Sequence, residues 1–122
     1  MAMERVKRYD SGGTTLIDTT NGNTFFHGFG RVPALVEVRL VVKLTANGYA
    51  VGEELPLELL VRATSGDLAG SPRWTVRVTD QRVLVFIAGT DIEIIDSSAA
   101  PAAVTLTNYR LRVTCLDVFP IG

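Results

Sequence analysis

Apolar and polar residues alternate with period two in several short stretches, the pattern of half-buried β-strands. From Leu35 to Leu44 one face reads Val36, Val38, Leu40, Val42 and Leu44. The other reads Leu35, Glu37, Arg39, Val41 and Lys43. Trp74, Val76 and Val78 alternate with Arg73, Thr75, Arg77 and Thr79, and Asp80-Gln81 reads as a tight turn into Arg82–Ala88. Residues 73–88 therefore predict a β-hairpin. In its second arm the run Val83-Leu84-Val85-Phe86-Ile87 is apolar on both faces. That suits a central strand, or one whose outer face meets another subunit. In Val104–Phe119, Tyr109, Leu111, Val113 and Cys115 share a phase against Arg110, Arg112 and Thr114. The phase slips near Asn108 and again near Leu116, predicting a β-bulge or bend at each.

Between these stretches lie turn-forming clusters: Ser11-Gly12-Gly13, Asn21-Gly22-Asn23, Gly28 to Pro33, Ala46-Asn47-Gly48, Thr64 to Pro72 and Ser97 to Pro101. Pro56 sits inside Glu53–Leu60, so that segment is an edge strand or contains a break; Leu55–Val61 as one helical turn is the alternative. The strands predicted are Thr14–Asp18, Thr24–His27, Leu35–Leu44, Leu55–Arg62, Arg73–Thr79, Arg82–Ala88, Ile92–Asp96 and Val104–Val118. Helix signals are scarce. The expected fold is all-β, an antiparallel β-sandwich of about six to eight strands. Residues 1–10 are expected as an N-terminal arm that docks on a partner, and 11–122 as one sandwich domain.

Composition sharpens this picture. In 122 residues, 47% are hydrophobic and 20% charged, so the chain has the means to build one core. The mean hydropathy of +0.25 is high for a small domain, yet no apolar run approaches the ~20 residues of a membrane helix. The surplus apolar surface points to a subunit interface. A net charge of −1 argues against a nucleic-acid partner, which calls for a basic stripe. A single cysteine, Cys115, permits no internal disulfide, and the first eight residues lack the apolar stretch of a signal peptide. Synthesis in a host cytoplasm is the expectation, with a later place in a released particle left open.

Catalytic chemistry is sparse. His27 is the sole histidine, so any Ser-His-Asp or Cys-His constellation must pass through it, and no nucleophile elbow surrounds any serine. One Cys and one His do not make a zinc site. Asp91, Glu93 and Asp96 lie close in sequence and raise the question of a cation, although their spacing does not match an EF-hand loop and a solvated acidic edge accounts for them. Gly28-Phe29-Gly30 lacks the third glycine of a dinucleotide fingerprint. No cofactor or metal and no enzymatic activity is expected. Sugar recognition combines an aromatic face with planar polar groups, which makes Tyr49, Trp74 and Asn47 candidate glycan-binding residues, with Trp74 also suited to the core.

The stretch Phe26-His27-Gly28-Phe29-Gly30-Arg31-Val32-Pro33-Ala34-Leu35-Val36-Glu37-Val38, followed by Asn47-Gly48-Tyr49-Ala50-Val51-Gly52-Glu53-Glu54, carries a resemblance. It resembles small proteins encoded among the virion structural genes of tailed bacteriophages, over roughly Phe25 to Leu57. In that family a His-Gly-x-Gly-x-x-Pro turn leads into an apolar strand and then a Gly-Tyr-x-x-Gly-Asp/Glu-Glu turn. The stretch is also similar to the opening of the H-type lectin fold, an antiparallel sandwich that assembles as trimers or hexamers. His27, Gly28, Gly30, Pro33, Gly48 and Gly52 are read as turn-forming residues, because backbone geometry accounts for each of them. The resemblance implies a virion location and a structural role.

The expectation is a non-enzymatic virion subunit of a tail fibre, baseplate or capsid decoration, assembled with itself as a trimer or hexamer and with other virion proteins. The candidate interface residues are Arg5, Lys7, Arg8 and Tyr9 in the arm, with Leu35, Val41, Leu84 and Phe86 on the strand faces. The alternative is a carbohydrate-binding module that recognises a host surface glycan. Neither reading calls for nucleic acid or membrane insertion.

Overall fold

The computed structural model describes residues 3–45, 48–71, 74–88, 93–95, 97–103 and 105–121. Two four-stranded antiparallel sheets make a sandwich. The first sheet holds β1 (Met3–Asp10), β10 (Tyr109–Ile121), β3 (Leu35–Val42) and β4 (Glu54–Val61), in that spatial order. The second holds β2 (Asn23–Phe26), β7 (Arg82–Ile87), β6 (Trp74–Val78) and β5 (Leu68–Ser71). A separate pair, β8 (Glu93–Ile95) and β9 (Pro101–Ala103), precedes a 3-10 turn at Leu106–Asn108.

The period-two faces become the core. Val36, Val38, Leu40 and Val42 of β3 and Tyr109, Leu111, Val113 and Cys115 of β10 are buried. Opposite them lie Phe25, Val76, Val78, Val83, Val85 and Ile87 of the second sheet. β-branched residues fill most of these positions, as suits side chains packed on a pleated surface. The hairpin of β6 and β7 closes through Asp80-Gln81, with the Thr79 N–H donating to the Arg82 carbonyl at 2.8 Å. The doubly apolar β7 lies inside its sheet, between β2 and β6.

Several expectations change. Residues 3–10 are not an arm; they form β1, paired with β10 at every position from Met3↔Ile121 to Asp10↔Thr114. The cationic residues of this segment resemble a solvated tail in sequence, but the long β10 presents an edge that β1 covers. Of Thr14–Asp18 only Thr15 pairs, as a single bridge to Leu111, because Gly12 and Gly13 turn the chain at positive φ. The loop expected over Thr64–Pro72 contains β5. Its Ala-Gly-Ser sequence has weak strand propensity, and pairing with β6 supplies the order. Pro56 does lie on an edge strand: the register shifts opposite Val38/Arg39 and leaves Leu57 as an extra residue. The expected slip at Asn108 is the 3-10 turn, which resets the phase before β10 begins. No slip occurs at Leu116; β10 keeps its phase and turns Asp117 inward.

Candidate functional site

Among the described residues three polar ones, Asn23, His27 and Asp117, are buried, and each organises a connection. The Asn23 amide spans the 18–23 loop. Its Oδ1 accepts from the Asp18 N–H at 2.8 Å, and its Nδ2 donates to the Asp18 and Val85 carbonyls, both at 3.1 Å. The His27 Nε2–H donates to the Thr79 carbonyl at 2.9 Å, while Nδ1 accepts from the Phe29 N–H at 3.1 Å. Those two partners fix the orientation of the ring. Gly28 and Gly30 take φ of +70° and +76°, and Pro33 is buried beyond them. Between them, Arg31 reaches across to Asp117, with Nε donating to Oδ2 at 2.7 Å and a second donor on Oδ1 at 3.2 Å. The His27–Pro33 turn thus carries the chain from one sheet to the other and is tied to both.

Burial pushes the Cys115 thiol up to about 12, far from a thiolate at neutral pH. Among the described residues no group of three or more His, Cys, Asp or Glu is arranged to hold a metal ion. Asp91 and Asp96 lie outside the described residues, as does the side chain of Glu93. Of the expected glycan residues, Trp74 and Tyr49 are described. Trp74 spans the sandwich and donates its indole N–H to Glu58 Oε1 at 3.1 Å. Tyr49 packs on the core, beside the positive-φ turn residues Gly48 and Gly52. Asn47 lies outside the described residues.

Comparison with models of known protein families, with curated proteins and with solved structures finds no match. The functional reading therefore rests on the chain's own surfaces.

The outer face of the first sheet is the more structured of the two. Register aligns Asp10, Thr114, Glu37 and Leu59 in one row and Arg8, Leu116, Leu35 and Val61 in the next; Val6 and Val118 flank that second row. Val6, Leu59, Val61 and Val118 are all exposed, with Val6 at 65%. Beside this apolar patch runs a charge ladder. Arg112 Nε donates to Asp10 at 2.9 Å and its Nη1 to Glu54 at 2.7 Å; Arg39 bridges Glu54 at 3.3 Å and Glu37. The Arg112 hydrogen bonds, with the Gly12 N–H, hold the Asp10 carboxyl down to about 2. Arg8 adds a second cation 3.5 Å from Asp10.

The expected interface residues divide between the two faces. Leu35 and Val41 are half-buried on the first sheet, Leu84 and Phe86 lie on the second, and Phe86 is 43% exposed. Arg8 faces outward, whereas Tyr9, expected at an interface, turns inward and packs on the core because its phase places it opposite Cys115. Lys7 shares that inward phase, opposite Asp117, and the side chain of Arg5 lies outside the described residues. Sequence reasoning missed the ladder and the Arg31–Asp117 pair. Its one local signal was that Glu37, Arg39 and Arg112 occupy outward phases; the pairing depends on register between distant strands.

On the second sheet, a groove of about 230 Å³ open to solvent is lined by Asp18, Thr20, Trp74, Thr75 and Phe86. Gly22 forms its floor: a Cβ there would come within 2.6 Å of the Phe86 ring.

Proposed function

We propose that the chain is a non-enzymatic structural subunit of a bacteriophage virion, assembled with itself in a tail fibre, baseplate or capsid decoration. One observation carries the assembly half of this reading. Val6 and Val118, then Leu116, Leu35 and Val61, then Leu59 occupy three successive cross-strand rows of the first sheet; together they form an apolar patch that reaches all four strands, with Arg8 and Glu37 set into it. An apolar patch of that extent beside satisfied charges is the composition of a subunit contact, with an apolar centre and a polar rim. The virion half rests on the resemblance of residues 25–57. Sedimentation equilibrium at micromolar concentration tests the assembly. A defined oligomer is expected, weakened by Leu59→Lys or Val61→Lys on the exposed edge. A monomer at all concentrations overturns the reading.

A second reading, sugar recognition, is favoured by the groove on the second sheet. The Phe86 ring, 43% exposed, supplies apolar surface for the C–H face of a pyranose. Asp18 is held by the Thr20 and Asn21 N–H groups through Oδ1, both at 3.0 Å or less. Its carboxylate lines the groove and is an acceptor suited to sugar hydroxyls. Titrating a panel of bacterial-surface monosaccharides into labelled protein is expected to move the amide signals of residues 18–22, 74–75 and 86–88. Phe86→Ala should abolish the effect. No movement with any sugar, or movement elsewhere, overturns this reading.

A further inference from the structure

The two edges of the first sheet are not equivalent. β4 carries Pro56 and a bulge at Leu57, two devices that prevent a further strand from adding. β1 has neither: its eight pairs with β10 run without a register shift. The Ser11 N–H donates to the Val113 carbonyl at 3.0 Å, on the same antiparallel register. Antiparallel pairs alternate between bonded and non-bonded positions. Tyr9, Lys7 and Arg5 therefore bond to β10, and Glu4, Val6, Arg8 and Asp10 turn their N–H and C=O groups to the free edge.

We propose that β1 pairs antiparallel with β1 of a second copy about a twofold axis at Val6, joining the two first sheets into one of eight strands. The inference rests on the self-assembly reading above and adds an edge contact to the face contact proposed there.

Charge selects the register. Only residues of the outward set can bond across the edge, which leaves few alignments. Centring on Lys7 sets Glu4 against Asp10, and centring on Arg8 sets Arg8 against itself. Centring on Val6 sets Glu4 of each chain opposite Arg8 of the other, with Val6 opposite Val6. Opposite charges across a strand pair stabilise it and like charges oppose it. The Val6 register also places Arg5 opposite Lys7, which costs some of that gain; Lys7 stands opposite Asp117 of its own chain. These two cations deter a strand of unrelated sequence, as edge lysines do, so the edge is selective rather than sticky.

The same alignment makes the apolar patches of two subunits continuous, because Val6, paired with Val118, is the part of the patch nearest the axis. An isologous twofold contact of this kind gives even-numbered assemblies, a dimer or a hexamer built from dimers, and not a lone trimer.

Oxidative cross-linking of full-length Val6→Cys is the test. Directly opposed residues of a bonded antiparallel pair have Cα atoms about 5.5 Å apart, within disulfide range. The native Cys115 is buried and does not compete. A disulfide-linked dimer is expected from Val6→Cys. Glu4→Cys mixed with Arg8→Cys should cross-link, and either alone should not. Arg8→Glu should weaken self-association about tenfold, and adding Glu4→Arg should restore it. If the wild type is an oligomer but Val6→Cys does not cross-link, the β1 contact is overturned and the self-assembly reading stands. If the wild type is a monomer, both fall.

Discussion

Asp117→Asn removes one negative charge from the inner face of β10 while keeping the shape of the side chain. In the native protein Oδ2 accepts from Arg31 Nε at 2.7 Å, and Oδ1 accepts from a second Arg31 nitrogen at 3.2 Å and from the Val118 N–H at 2.9 Å. An asparagine has one acceptor oxygen. If that oxygen keeps the Oδ1 partners, its NH₂ group faces the Arg31 Nε–H, and one charge-assisted bond is lost. Hydrogen bonds to charged groups are worth ~1.5–3 kcal/mol. Two effects lower the net loss: the Arg31 side chain is 47% exposed and can turn to water, and the variant no longer desolvates a carboxylate. The expected cost is ~1–2 kcal/mol at neutral pH, a fall in Tm of about 4–8 °C. Burial pushes the Asp117 carboxyl up, but bonds from Arg31 and from the Val118 and Ala34 N–H groups outweigh it and hold the group below its ordinary value. A lowered folded-state value means stabilisation that is complete above the unfolded value, ~3.9, and is lost as pH falls through the folded one. Urea denaturation of both proteins from pH 7 to 3 measures this. The wild type should lead at pH 7, and the gap should narrow below about pH 4. Equal stability at pH 7, or a gap that stays constant as pH falls, would refute the account of this buried carboxylate.

Three other outcomes follow from the structure. Arg112→Ala removes the principal partner of Asp10, so carboxyl ¹³C titration should find the Asp10 value rising from about 2 toward the ordinary carboxylate range. Gly70→Ala places a Cβ 2.3 Å from the Trp74 carbonyl oxygen at a φ of +136°; a loss of at least ~2 kcal/mol by chemical denaturation is expected, with β5 detaching from β6. Cys115 should resist a disulfide-exchange reagent in the native protein and react fully in denaturant, because burial pushes its thiol up to about 12.

Much of the fold was legible in the chain. Strands β3 and β6 have local alternation strong enough to declare both their type and their buried face; β7, apolar on both faces, declared only its type, and the Thr79–Arg82 turn needed only its neighbours. Pro56 announced an edge because it cannot donate to a ladder from inside a sheet. β1 and β5 were hidden for opposite reasons: β1 is too cationic to look like a strand, and β5 too small in its side chains. Each is ordered by the strand it pairs with. The candidate surfaces were half visible. Outward phases showed that Leu35, Val41, Leu84 and Phe86 do not enter the core. Trp74 was assigned both to the core and to a sugar site, and its contact with Glu58 on the opposite sheet places it between them.

The sequence by itself determined the all-β class and the residues that fill the interior, because a period of two is a local property of neighbouring residues. It determined as well that apolar surface would remain after the core was filled. Tertiary structure decided where that surface lies and what borders it. The register of β10 against β1 and β3 sets Val118 beside Val6 and Leu116 beside Leu35 in adjacent rows and brings Arg112 between Asp10 and Glu54, residues far apart in the chain. It also decided that Asp117 lies inside. The break in pattern near Leu116 looked like a change of strand phase. Arg31, 86 residues away in sequence, makes the opposite arrangement stable by supplying the charge that a buried carboxylate requires.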